Sequence, residues 1–151
     1  MKQSDCTIVP MQACHVPQIA VLEQLCFSDP WPEAAIAPEL ENPLSFWLVA
    51  LCGDRVVGYV GSQSVLGEAD IMNVAVDPSC RRMGIAEKLL RSLQAELTDR
   101  QVHSLTLEVR ASNIPAITLY EKLGFLGVGR RPNYYHNPKE DALILRKEWS
   151  L

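Results

Sequence analysis

A chain of 151 residues, 48% of them hydrophobic, is long enough to bury its own core, and one domain spanning residues 1–151 is expected. The formal net charge of −4 argues against a general nucleic-acid binder, and no apolar run reaches membrane-spanning length. The start, Met1-Lys2-Gln3-Ser4-Asp5, lacks the apolar core of a secretory signal, so a cytoplasmic protein with no membrane or nucleic-acid partner is expected. Five cysteines (Cys6, Cys14, Cys26, Cys52, Cys80) make an odd set without C-x-x-C spacing, which indicates neither a disulfide framework nor a zinc site. Cys80 reads as a small reduced thiol, and His15, His103 and His136 show no pattern of a metal site or triad, so no metal is expected.

In chain order, Thr7-Ile8-Val9 before Pro10 predicts a short strand. Val16, Ile19, Ala20, Leu22 and Leu25 predict an amphipathic helix within residues 11–27, with Pro17 tolerable only near its start. Residues 26–33 are rich in turn formers, and Ser28 or Asp29 is placed to cap a second helix that runs to about Leu40 and is interrupted by Pro38. Residues 46–51 and 55–60 flank Cys52-Gly53-Asp54 and predict an antiparallel hairpin, in which Gly58 and Gly61 mark a bulge or a close backbone approach. A turn at Gly67 leads to a strand over residues 69–76.

The next stretch combines a buried strand end, a basic glycine-bearing turn and a helix. Ile85, Leu89, Leu90, Leu93 and Leu97 form one apolar stripe, and Arg81, Arg82 and Gly84 precede it. A glycine at a helix start lets a ligand reach the backbone, and the first N–H groups with the positive end of the dipole favour an anion. A phosphate-bearing ligand held mostly by main chain is expected. Neither the Gly-Lys-Ser/Thr of a P-loop nor G-x-G-x-x-G is present. Residues 104–109 then predict a strand joined to the previous one by a helical crossover and hence parallel to it. A helix follows over residues 113–123, with Ser112 or Asn113 as cap, Pro115 in the first turn and Gly124 as stop. Two last strands, about 127–131 and 142–147, complete an α/β (α+β) chain with one mixed, mostly antiparallel sheet containing a parallel strand pair.

Arg81-x-x-Gly84-x-Ala86 resembles the acetyl-CoA pyrophosphate motif Q/R-x-x-G-x-G/A of the GNAT acetyltransferases. Leu107-Glu108-Val109-Arg110-x-Ser112-Asn113, then Ala116-Ile117-x-Leu119-Tyr120-Glu121-Lys122-Leu123-Gly124-Phe125, carries the resemblance further. Within that superfamily the chain is most similar to the bacterial ribosomal-protein-alanine N-acetyltransferases. The tail Arg130-Arg131-x-Asn133-Tyr134-Tyr135 with Glu140-Asp141-Ala142 supports the same subgroup. Ala86 stands for the last glycine, as the motif permits, and Met83 for a position often polar or basic. Before Met72 only the element order and Phe27-x-x-Pro30-Trp31 agree, so no acceptor residue is implied there.

The resemblance implies a GNAT acyltransferase fold, acetyl-CoA as co-substrate, and transfer to the N-terminal α-amine of a protein. The subgroup implies the N-terminal alanine of a small-subunit ribosomal protein (number eighteen). It further implies that Glu108 is the base and Tyr120 the acid that protonates the departing CoA sulfur. Main chain of Val74, Ala75 and Val76 would pair with the pantetheine arm, Asn113 would bind it from the other side, and Arg82, Met83, Gly84, Ile85, Ala86 and Glu87 would take the diphosphate. N–H groups near Val74 would face the thioester oxygen. An N-terminal ammonium, with a pKa of about 7.7–8.0 against about 10.4 for lysine, sets a carboxylate base the easier task. Each residue has a plainer reading as well: Glu108 as a solvated strand residue, Tyr120 as a core aromatic, Asn113 as a helix cap, and Trp31, Tyr134 and Tyr135 as packing rather than walls of an acceptor groove. Acetylation of another amine (a protein lysine, a polyamine or a small molecule) and a non-catalytic CoA-binding sensor are the rival functions. The joint presence of Glu108 and Tyr120 counts against the second.

Overall fold

The computed structural model describes residues 6–150. The strands β1 (Cys6–Pro10), β2 (Ser45–Cys52), β3 (Arg55–Val65), β4 (Glu68–Val76), β5 (Ser104–Arg110), β6 (Leu126–Tyr135) and β7 (Glu140–Glu148) form one sheet in the order β1-β2-β3-β4-β5-β7-β6. Every neighbouring pair is antiparallel except β4 and β5. Four helices flank the sheet: α1 (Val16–Cys26), α2 (Glu33–Ile36), α3 (Ile85–Asp99) and α4 (Ile114–Lys122). The crossover α3 is what makes β4 and β5 parallel, because a strand that returns through a helix comes back in the same direction.

Two cores share the sheet. The five predicted stripe residues of α3 are all buried, and they pack with Leu48 and Ala50 of β2 and Leu105 and Leu107 of β5. Val16, Ile19 and Leu22 of α1 pack with Trp47 and Val49 of β2 and Tyr59 of β3. Alternate residues of β2 thus enter opposite cores, as the period-two direction of strand side chains requires. Gly58 and Gly61 both mark the features read from the sequence. At Gly58 the β2–β3 register shifts, leaving Val57 as an extra residue, and a Cβ at Gly58 would lie 3.1 Å from the Ala75 carbonyl oxygen. At Gly61 the β3–β4 register shifts so that Met72 is extra, and a Cβ there would fall within the Trp47 ring.

Several expectations need correction. Pro32 stands at the N-cap of α2 with no side-chain cap bond, so neither Ser28 nor Asp29 caps that helix. Pro38 converts its continuation into a single 3-10 turn, Ala37–Leu40. Leu25 is exposed, and the inward position on α1 is taken by Glu23, which is wholly buried. Strands β6 and β7 run several residues beyond their predicted limits. Cys6 and Cys52 are register partners at the β1–β2 edge and are joined in a disulfide, Cα atoms 4.6 Å apart; a sequence separation of 46 carries no hint of that pairing. Cys80 is buried. Among the described residues no helix is long and apolar enough to cross a membrane.

Candidate active site

Strands β4 and β5 are paired only from Glu68 to Asp70 against Ser104 to Thr106. Beyond that point β4 stays with β3 as far as Val76, and β5 stays with β7 as far as Arg110. The sheet therefore splits between its two parallel strands. The extra residue at Met72 lies just past the last shared pair, and a bulge bends and twists the strand that carries it. A cavity of about 480 Å³ opens at the split, walled by Ile71 to Val74 on one side and Leu107 to Arg110 on the other. The α1–α2 loop adds Phe27 and Trp31, the β6–β7 region adds Tyr134, Tyr135 and Asn137, and α4 adds Tyr120.

Of the sequence-predicted residues, Glu108, Tyr120, Val74 and Asn113 all line this one cavity. Glu108, on β5, keeps its side chain 28% exposed and forms an ion pair at 3.4 Å with Nε of Arg131. Tyr120 is buried on α4 with its ring set edge-on to Phe125, centroids 5.7 Å apart. Burial, reinforced by Tyr135, pushes its hydroxyl above the ordinary tyrosine range. Burial and then Tyr134 and Glu108 raise the neighbouring Tyr135 to about 12. Asn113 is indeed the cap of α4, its side chain accepting from the Ala116 N–H at 3.3 Å.

Ala75 and Val76 are buried in β4, and Arg82, Met83, Gly84, Ile85, Ala86 and Glu87 lie outside the cavity wall, in the turn and first residues of α3. Arg82 and Gly84 both adopt left-handed backbone, at φ 66° and 76°. A non-glycine residue in that region is uncommon and marks a turn fixed by its surroundings. Glu87, the acidic residue in the first turn of α3, is occupied by Lys122 at 2.8 Å and Arg91 at 3.1 Å, and these partners hold its carboxyl below the usual range.

Trp31 lines the cavity, and its ring meets Trp47 edge-on with centroids 5.8 Å apart. Three further residues were not read from the sequence. Arg110 donates to Glu140 Oε1 at 3.2 Å, to the Pro138 and His136 carbonyls at 2.9 Å each and to Ser28 Oγ at 3.4 Å, with its guanidinium over the Tyr135 ring. It thereby clasps the β6–β7 turn and the α1–α2 loop across the cavity. Its signal was available, because it stands two residues after Glu108 and so shares that face of β5. Asn137 adds a second tie, Nδ2 to Asp29 Oδ1 at 3.3 Å. Glu23 lies at the i+4 position from Ile19 and i+7 from Val16, a charge on the apolar stripe of α1. Among the described residues no three His, Cys, Asp or Glu side chains gather as a metal site.

The chain belongs to the acetyltransferase (GNAT) family, whose model matches residues 16–125. It is 39% identical over 142 residues to the ribosomal protein bS18-alanine N-acetyltransferase of Escherichia coli (strain K12), covering 92% of this chain and 95% of that protein. It is 36% identical over 149 residues to the N-alpha-acetyltransferase RimI of Mycobacterium tuberculosis, covering 94% and 92%. The crystal structure of the ribosomal-protein-S18-alanine N-acetyltransferase from Escherichia coli superposes with a TM-score of 0.89 over 97% of this chain and 95% of that one.

Proposed function

We propose that this chain, acting as one domain in the cytoplasm, transfers the acetyl group of acetyl-CoA to the α-amine of a protein's N-terminal alanine, the acceptor being ribosomal protein bS18. The observation that carries this reading is the convergence of Glu108 and Tyr120, from a strand and a helix, on the cavity at the β4–β5 split. A domain that only bound the coenzyme would need neither. The acceptor comes from likeness to the bS18-alanine N-acetyltransferase of Escherichia coli, which this chain matches over nearly its whole length.

The residues present fit acetyl-CoA. An extended arm suits a gap between two strands that no longer pair with each other beyond Asp70 and Thr106. A diphosphate suits the start of α3, where the left-handed turn presents main chain. Val74, Ala75 and Val76 would pair with the arm through main chain, Asn113 would meet it from α4, and Arg82 to Glu87 would seat the diphosphate. The bound co-substrate supplies a thioester, an activated acyl group with a thiolate as leaving group. Glu108 takes the proton from the acceptor ammonium, directly or through one water. The freed amine would attack the thioester carbonyl carbon, forming the C–N bond as the C–S bond breaks, and the Val74 N–H would face the carbonyl oxygen as negative charge gathers there. Tyr120, which lines the same cavity with its hydroxyl protonated as in any tyrosine near neutral pH, would donate to the sulfur as it leaves.

Two measurements test the reading. Acetyl-CoA should raise the melting temperature, since a ligand bound only by the native state at a hundred times its Kd adds about 2.7 kcal/mol. A peptide beginning with alanine should be acetylated at its α-amine, and its Nα-blocked, lysine-containing counterpart should not. No thermal shift would remove the coenzyme; preferential lysine acetylation would move the acceptor.

A further inference from the structure

Glu23 is absent from the mechanism above, yet its carboxylate stands behind the wall shared by both halves of the site. It is wholly buried on α1 and takes three hydrogen bonds from three elements. The Tyr59 hydroxyl of β3 and Asn73 Nδ2 of β4 (2.8 Å) donate to its Oε1, and the Trp31 N–H of the α1–α2 loop donates to its Oε2 at 3.1 Å. Asn73 and Trp31 both line the cavity, so one carboxylate joins the acceptor-side loop to the thioester-side strand. The other end of the Asn73 carboxamide is engaged too, because its Oδ1 accepts the N–H of Val74 at 3.2 Å. That N–H is the donor assigned above to the thioester oxygen.

We propose that Glu23 is a positioning residue which, by holding the Asn73 carboxamide, keeps the Val74 N–H aimed at the place a thioester oxygen will take and locks that donor to the Trp31 loop. The inference deepens the acetyl-transfer reading and rests on it. Asn73 Oδ1 serves as a stand-in acceptor in the free protein. A bond between a side chain and the N–H of the very next residue is constrained by its short tether, so it yields readily to a better-aligned oxygen. Glu23 fixes the amide orientation: with Nδ2 on the carboxylate, only Oδ1 can turn toward Val74. Without Glu23 the amide is free to flip, present its NH2 group to the Val74 N–H and displace the donor. Preorganised donors act because they need no reorientation at the moment of reaction, so a donor left mobile slows the chemical step without weakening the coenzyme's hold. The Trp31 bond extends the same control to the acceptor wall.

The test uses the full chain and two readouts. In steady-state kinetics with acetyl-CoA and an alanine-first peptide, Glu23→Gln should lower kcat by about tenfold, a fraction of the hundredfold or more lost when an oxyanion donor is removed outright. The KM for acetyl-CoA should stay within about twofold. Asn73→Ala should give a similar loss, and the double variant should be no slower than the slower single one, since both changes break one chain of bonds. In the free protein, the Val74 amide resonance of the 15N-labelled chain should move in Glu23→Gln, although residue 23 is far from it in sequence. Unchanged kcat in Glu23→Gln, multiplying losses in the double variant, or an unmoved Val74 resonance would each overturn the proposal. Should Glu23→Gln fail to fold, Glu23→Asp, which keeps the charge but withdraws it by one methylene, is read by the same measurements. If the wild type acetylates no peptide, the acceptor reading falls on that result, while the Val74 resonance still decides the role of Glu23.

Discussion

The two sides of the β4–β5 split are built in different ways. The side proposed for the coenzyme is one continuous stretch: β4, a left-handed turn, then α3 with its five-residue apolar stripe. The side proposed for the acceptor is assembled from segments far apart in the chain, with Arg110 of β5 reaching Ser28 and the carbonyls of His136 and Pro138, and Asn137 reaching Asp29. On that reading main chain would serve the constant ligand, and side chains from several loops would serve the acceptor, since loops vary on a fixed scaffold. The lesson is that the first side is specified locally and the second only through tertiary contacts.

The sharpest way to break that contrast is Glu108→Gln. We expect kcat to fall by about 10²- to 10⁴-fold, the usual worth of a general base, while the thermal shift produced by acetyl-CoA is kept. If coenzyme binding falls as much as turnover, Glu108 belongs to the coenzyme side. Next, Leu93→Ala empties a fully buried position on α3 and should cost about 2–5 kcal/mol in urea unfolding. A cost under about 1 kcal/mol would mean the coenzyme helix does not depend on its stripe.

On the proposed acceptor side, Arg110→Gln removes a charged clasp whose side chain is only 26% exposed. The KM for an alanine-first peptide should rise about tenfold, equivalent to one charge-assisted hydrogen bond, with the KM for acetyl-CoA unmoved. An equal rise in both would erase the division between the two sides. The smallest effect concerns pH. Burial holds Glu23 above its ordinary value of 4.5, so the folded chain keeps a proton there that the unfolded chain has released. That contribution to stability is complete below 4.5 and is lost as pH rises through the folded value. Wild type should therefore lose stability relative to Glu23→Gln over that window, by up to about 1.4 kcal/mol per pH unit. Glu140, lowered by its Ser112 hydrogen bonds, and Asp141, lowered by the Asn133 N–H, act in the opposite sense: their contribution is lost as pH falls through the carboxylate range. A Glu23→Gln profile parallel to wild type would show that the buried carboxyl does not titrate differently on folding.

How much was legible follows the same division. That Glu108 and Tyr120 line the cavity could be anticipated because each belongs to an uninterrupted string, one on a strand and one two turns into a capped helix, that is recognised without its surroundings. Gly58 and Gly61 announced bulges, since a strand tolerates glycine mainly where backbone comes close. Leu25 was misplaced for a physical reason. Hydropathy alone assigns the apolar side chain inward, whereas three donors on β3, β4 and the α1–α2 loop make the interior hospitable to Glu23 instead. No local pattern shows those donors.

By itself, then, the sequence determined the strand and helix order, the parallel pair created by a helical crossover, and the glycine-led start of α3, because periodicity, capping and turn chemistry act between near neighbours. Only the tertiary structure decided that the parallel pair parts after Asp70 and Thr106, that Arg131 sits against Glu108, and that Glu23 gathers Tyr59, Asn73 and Trp31. Those relations join residues up to 50 positions apart. They exist because burying a charge or closing a cavity needs partners that only packing brings together.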